Sequence, residues 1–95
     1  MNVSVRYLVN FSVVTGKKNE NVPLQEGATL QDLLNQLIEK YGSTLKKEIL
    51  SQTGEIKPHV LILINGRSLD QFRERLHAPL SNGDSIIFTF PVTGG

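Results

Sequence analysis

Thr29-Leu30-Gln31-Asp32-Leu33-Leu34-Asn35-Gln36-Leu37-Ile38-Glu39-Lys40-Tyr41-Gly42 is the stretch that organises this 95-residue chain. Leu30, Leu33, Leu34, Leu37, Ile38 and Tyr41 recur at the spacing that lines one face of an α-helix. Thr29 offers a side-chain oxygen as N-cap, and Asp32 puts negative charge in the first turn, where the helix dipole favours it. Gly42 supplies the stop. A single strong helix with one apolar face needs another layer to bury it.

On its N-terminal side, Val3, Val5, Tyr7, Val9 and Phe11 alternate with Ser4, Arg6, Asn10 and Ser12, which predicts a half-buried strand across all nine positions from 3 to 11. Leu8 breaks the polar set. Thr15 to Asn19 reads as a turn and Glu20 to Leu24 as a weaker second strand, placed at a sheet edge by Pro23. On its C-terminal side, Leu45 to Leu50 adds a short helical turn. Val60-Leu61-Ile62-Leu63-Ile64 is apolar on both parities and runs into Asn65-Gly66, a hairpin signal. A short return covers Arg67 to Leu69. Phe72 and Leu76, four apart, suggest a helical piece over Gln71 to Leu76. Pro79 to Asp84 is a turn, and Ser85 to Phe90 is the last strand. The order β-β-α-β-β, with first and last strands parallel at the centre, predicts an α+β fold. It is a β-grasp, or ubiquitin-like, roll: a mixed four- to five-stranded sheet with one main helix across one face. Residues 1–93 form the single domain and Gly94-Gly95 a flexible tail.

Composition narrows the function. Ninety-five residues make one small domain, with 39% hydrophobic and 20% charged residues, near the globular average. A net charge of +1 with scattered basic residues argues against nucleic acid as a partner. No apolar stretch approaches the ~20 residues that span a bilayer and no basic-then-apolar leader opens the chain, so a cytoplasmic protein with no membrane partner is expected. The absence of cysteine excludes thiolate metal sites and thiol nucleophiles. His59 and His77 lack further ligands in a recognisable pattern and read as surface residues. Arg67, Arg73 and Arg75 read as a solvated face, and Asn82-Gly83-Asp84 has too few carboxylates for a calcium loop. No catalytic residue, metal site or bound cofactor is expected.

Strand parity leaves an anomaly. Leu8, Leu61, Leu63 and Ile87 fall on the sheet face away from the main helix, where a one-helix roll has nothing to cover them. An open apolar face of this kind marks a partner site, unless Leu45–Leu50 or Asp70–Ala78 folds over it. The chain then ends in Phe90-Pro91-Val92-Thr93-Gly94-Gly95. Pro91 fixes one backbone angle, and the two glycines bring no Cβ into a narrow channel. Phe90, Pro91 and Val92 therefore join the expected partner-binding surface, with Gly94 giving access and Gly95 carrying the reacting carboxylate.

The segment Pro79-Leu80-Ser81-Asn82-Gly83-Asp84-Ser85-Ile86-Ile87-Phe88, followed by Phe90 to Gly95, resembles the close of the sulfur-carrying small subunit of molybdopterin synthase. More distantly it is similar to the thiamine-pathway sulfur carrier (together the MoaD/ThiS-like carriers) and to archaeal ubiquitin-like modifiers. The likeness is specific over roughly the last seventeen residues, through Leu80-x-x-Gly83-Asp84 and the diglycine, and topological elsewhere. Thr89-Phe90 stands where a Phe-Pro pair is common. Asp70–Ala78 is longer than in short bacterial members, which makes the archaeal branch an equal fit. The resemblance implies a ubiquitin-activating-type adenylyltransferase that spends ATP to adenylate Gly95. A thiocarboxylate for the molybdopterin synthase large subunit would follow, or attachment to target-protein lysines. An interaction module with an incidental diglycine is the third reading.

Overall fold

The computed structural model describes residues 1–68 and 76–90. Val3, Val5 and Tyr7 are buried and Asn2, Ser4 and Arg6 exposed, so β1 (Asn2–Tyr7) is the half-buried strand that alternation predicts. The elements that follow are α1 (Asn10–Thr15), β2 (Asn19–Pro23), α2 (Leu30–Tyr41), α3 (Ser43–Ile49), β3 (Leu61–Ile64), β4 (Arg67–Ser68) and β5 (Ser85–Thr89). The five strands lie in the order β2-β1-β5-β3-β4. At the centre β1 and β5 are parallel, with Val5 opposite Ile86 and Tyr7 opposite Phe88. The other pairs are antiparallel, and β2, with Pro23, forms an edge.

Local chemistry sets the joints. Asn65 and Gly66 both take positive φ (51° and 84°), as a two-residue hairpin needs, and turn β3 into β4. The Asn65 amide also donates to Asp84 at 3.0 Å and accepts from the Ser85 N–H at 2.9 Å, tying the hairpin to the start of β5. Thr29 and Asp32 form a reciprocal capping box, with Asp32 N–H to Thr29 Oγ1 at 3.2 Å and Thr29 N–H to Asp32 Oδ2 at 2.9 Å. The α2 helix buries Leu30, Leu33, Leu34 and Leu37 against Val3, Val5, Ile62, Ile64, Ile86 and Phe88, and ends at Gly42. The α3 helix adds Leu45 and Ile49 to the same core.

The N-terminal strand is shorter than its alternation predicts. It ends at Tyr7; Val9 turns to φ 55°, ψ −128°, and the Phe11 N–H donates to Leu8 O at 3.2 Å, closing a tight turn into α1. Phe11 is fully buried, but a turn of helix rather than a strand carries it there. Burial at position 11 therefore continues the alternation while the backbone does not. At the other ends β3 begins at Leu61 and β5 stops at Thr89, each one residue inside the expected span. The Leu45–Leu50 segment does not cover the sheet face away from α2; Leu45 and Ile49 face the core with α2. The other expected cover, Asp70–Ala78, lies outside the described residues up to 75. The helix expected over 71–76 lies outside the described residues except for Leu76, which packs against the core. The chain then rejoins the helix layer through a Leu80 N–H to Ala28 O bond of 2.8 Å.

Among the described residues, five aromatic side chains form one line through the molecule. Tyr41 meets Tyr7 edge to face at 6.2 Å, and Tyr7 stacks on Phe88 at 5.9 Å. Phe88 meets Phe11 at 5.9 Å, and Phe11 stacks on Phe90 at 4.8 Å. The line starts at Glu20 on β2, whose side chain is 8% exposed. Its carboxylate accepts from Tyr7 at 2.7 Å, from Tyr41, and from Lys40 at 2.8 Å, with Lys17 at 3.6 Å. Burial opposes the charge on Glu20, but the bonds from Lys40, Tyr41 and Tyr7 prevail and hold its pKa down at about 2. Burial, and then the bond to Glu20, pushes the Tyr7 hydroxyl well above its usual range.

Candidate functional site: the apolar sheet face and the end of β5

The residues facing away from the helices sort into two halves. Register places Arg6, Ile87, Leu63 and Ser68 in one row across β1, β5, β3 and β4. The next row holds Thr89 and Leu61, and strand parity carries Leu8 to the same side, its N–H donating to Phe88 O at 3.0 Å. Leu8, Leu61, Leu63 and Ile87 are each half-buried, so four apolar side chains cluster over β1, β5 and β3. Across β1 and β2 the same face is polar, with Ser4 opposite Asn21 and Arg6 opposite Asn19. The apolar half is the end toward which β1 and β5 both run, and it is the end at which the chain passes to residues 91–95.

Phe90 lies at the border of this patch, with its side chain turned to the core. Its ring is half-buried on the core side, stacked at 4.8 Å and 18° on Phe11 and at 5.5 Å and 15° on His59. Pro91, Val92, Gly94 and Gly95 lie outside the described residues. The structure thus brings Leu8, Leu61, Leu63 and Ile87 together on one face and sets Phe90 at its border. His59, read from sequence as an ordinary surface residue, is exposed but engaged by ring stacking. Its 31-residue distance from Phe90 left no local signal. Among the described residues no group of three or more His, Asp or Glu side chains could hold a metal ion, and no helix is long and apolar enough to cross a membrane.

Among the described residues the arrangement offers an apolar surface beside the end of β5. Known proteins share this build. The chain is 32% identical over all 95 residues, and over the whole of the relative, to small archaeal modifier protein 3 of Haloferax volcanii. It is 33% identical over 70 residues to a protein of Archaeoglobus fulgidus assigned as a sulfur carrier, covering 74% of this chain and 77% of that one. A solved Pyrococcus furiosus structure assigned as molybdopterin converting factor subunit 1 superposes with a TM-score of 0.75 at 25% identity, over 97% of this chain and 99% of that one. Residues 5–95 match the ThiS family, and the chain belongs to it, among the β-grasp sulfur carriers and ubiquitin-like small modifiers.

Proposed function

We propose that this chain is a sulfur carrier whose Gly95 carboxylate is activated by a ubiquitin-activating-type adenylyltransferase and converted to a thiocarboxylate for molybdopterin biosynthesis. The observation that carries the reading is the placement of the chain's exit. Parallel β1 and β5 deliver Phe90 at the border of the Leu8–Leu61–Leu63–Ile87 patch, so one docking event fixes where residues 91–95 begin. Docking through the patch, with Phe90, Pro91 and Val92 guiding the stem, converts an encounter with the activating site into an intramolecular delivery.

The chemistry then belongs to the partner. The Gly95 carboxylate attacks the α-phosphorus of ATP, pyrophosphate leaves, and an acyl-adenylate forms. A sulfur nucleophile attacks the carbonyl carbon, a C–S bond forms, and AMP departs. The carrier contributes the acyl group and its position, and Gly94 adds no Cβ to obstruct entry. In the molybdopterin reading the large synthase subunit next uses the same patch and accepts the sulfur. The resemblance of the closing segment and the Pyrococcus structure support that assignment.

The full-length identity to a small archaeal modifier supports a second reading, in which a lysine amine attacks the same adenylate, an amide forms, and AMP and a proton leave. Mass spectrometry of the protein from its native cells separates the two. A gain of about 16 Da, oxygen replaced by sulfur, supports the carrier reading. Conjugates that leave a Gly-Gly remnant on lysine after digestion support the modifier reading, and an unmodified chain in active cells contradicts both.

A further inference from the structure

The ladder of β5 ends where Thr89 lies opposite Leu61, and Phe90 follows directly after it. The Phe90 side chain is stacked on two near-parallel rings from distant parts of the chain, Phe11 on α1 and His59 on the loop before β3. Both supports are themselves anchored. His59 lies in a turn closed by a Val60 N–H to Lys57 O bond of 3.0 Å and tied to α3 by a Lys57 N–H to Ile49 O bond of 2.9 Å. Phe11 is fully buried and reaches Phe90 because the chain turns at Val9. A β-branched residue at positive φ is a strained choice that surrounding structure must hold in place. Here the strained turn places an aromatic ring against Phe90, the residue just after β5.

We propose that Phe11, Phe90 and His59 form a clamp that fixes the direction in which the chain leaves the sheet, and that His59 is a positioning residue for delivery of Gly95. The inference rests on the carrier or modifier reading for its use but not for its existence. Ring faces restrict Phe90 in tilt and rotation, which apolar burial alone does not. A stem whose first residue is already oriented loses less freedom when it enters a partner's channel, so the gain appears in recognition rather than in the chemical step. His59 is exposed, so losing its ring leaves the core intact.

The test compares His59→Ala, His59→Leu and His59→Phe with the parent in ATP–pyrophosphate exchange by the cognate adenylyltransferase, alongside 15N relaxation of the free proteins. His59→Ala and His59→Leu are expected to lower kcat/KM by about five- to tenfold, mostly through KM, with melting temperature unchanged, because only the ordering of the stem is affected. His59→Phe restores the parent value. The order parameter of the Phe90 amide should fall in the first two and recover in the third. Parental kinetics in His59→Ala, or rescue by His59→Leu as complete as by His59→Phe, overturns the clamp. If the parent itself is not adenylated, the functional reading fails, and relaxation alone decides the clamp: unchanged Phe90 order in His59→Ala overturns it.

Discussion

The aromatic line has two ends held by different physics. At one end Tyr7 and Tyr41 donate to a nearly enclosed Glu20 carboxylate that Lys40 also reaches. At the other, Phe90 stacks on Phe11 and His59 through ring faces, and His59 is open to solvent. A largely enclosed carboxylate with several donors is over-determined: removing it takes the acceptor from Tyr7, a buried residue, and from Tyr41. A stack with one exposed ring costs little to loosen. The fold therefore concentrates its polar fixing far from the chain's exit and leaves the exit held by contacts that a partner can supplement.

The largest effect should come from breaking the fixed end. Glu20→Ala should destabilise by roughly 3 kcal/mol, since the Tyr7 and Tyr41 hydroxyls lose a charged acceptor. Denaturant unfolding checks this, and a loss under about 1 kcal/mol would contradict the over-determined anchor. The same group sets an acid limb. Its folded pKa of about 2 lies below its ordinary value of 4.5, so the unfolded chain takes up the proton first. Glu20's contribution is complete above about pH 4.5 and is lost as pH falls toward 2. Melting temperature against pH should drop more steeply in that window for the parent than for Glu20→Ala.

A smaller effect, opposite in sign, is expected at the other end. Val9→Gly relieves the positive φ while giving the unfolded chain more freedom, for a net gain of about 0.5–1 kcal/mol. That would raise the melting temperature by a few degrees in a domain this size. A lower melting temperature would mean that the Val9 side chain, 60% exposed, contributes more than its backbone costs.

These residues also show what the sequence made legible. The α2 helix was readable end to end because Thr29, Asp32 and Gly42 mark its limits and its leucines share one face. The parallel central pair followed from placing one helix between two hairpins, and the Asn65-Gly66 turn from its residue types. By contrast α1 was hidden. Phe11 has the parity of a buried strand residue, while Val13, Val14 and Thr15 are weak helix formers. Nothing in a valine announces a positive φ. In the candidate site, Leu8, Leu61, Leu63 and Ile87 could be grouped by strand parity alone. The Phe90–His59 stack could not, because it joins residues that only the closed sheet brings together.

The patch itself should contribute least to stability. Leu63→Glu lies on the half-buried face between Ile87 and Ser68, where the new charge remains hydrated, so the change in stability should stay within about 1 kcal/mol. Its expected cost is in binding: weaker association with the adenylyltransferase by calorimetry. Parental affinity would move the interface off this face.

Gly95 is the group through which the protein is proposed to act. The most direct measurement is the mass of the purified protein after incubation with its adenylyltransferase, ATP and sulfide. The parent is predicted to gain about 16 Da. A chain lacking Gly95, and one extended by a single residue that cannot be trimmed, should melt like the parent and gain nothing, since chain termini commonly add little stability. Conversion of the extended chain at the parental rate would contradict the account.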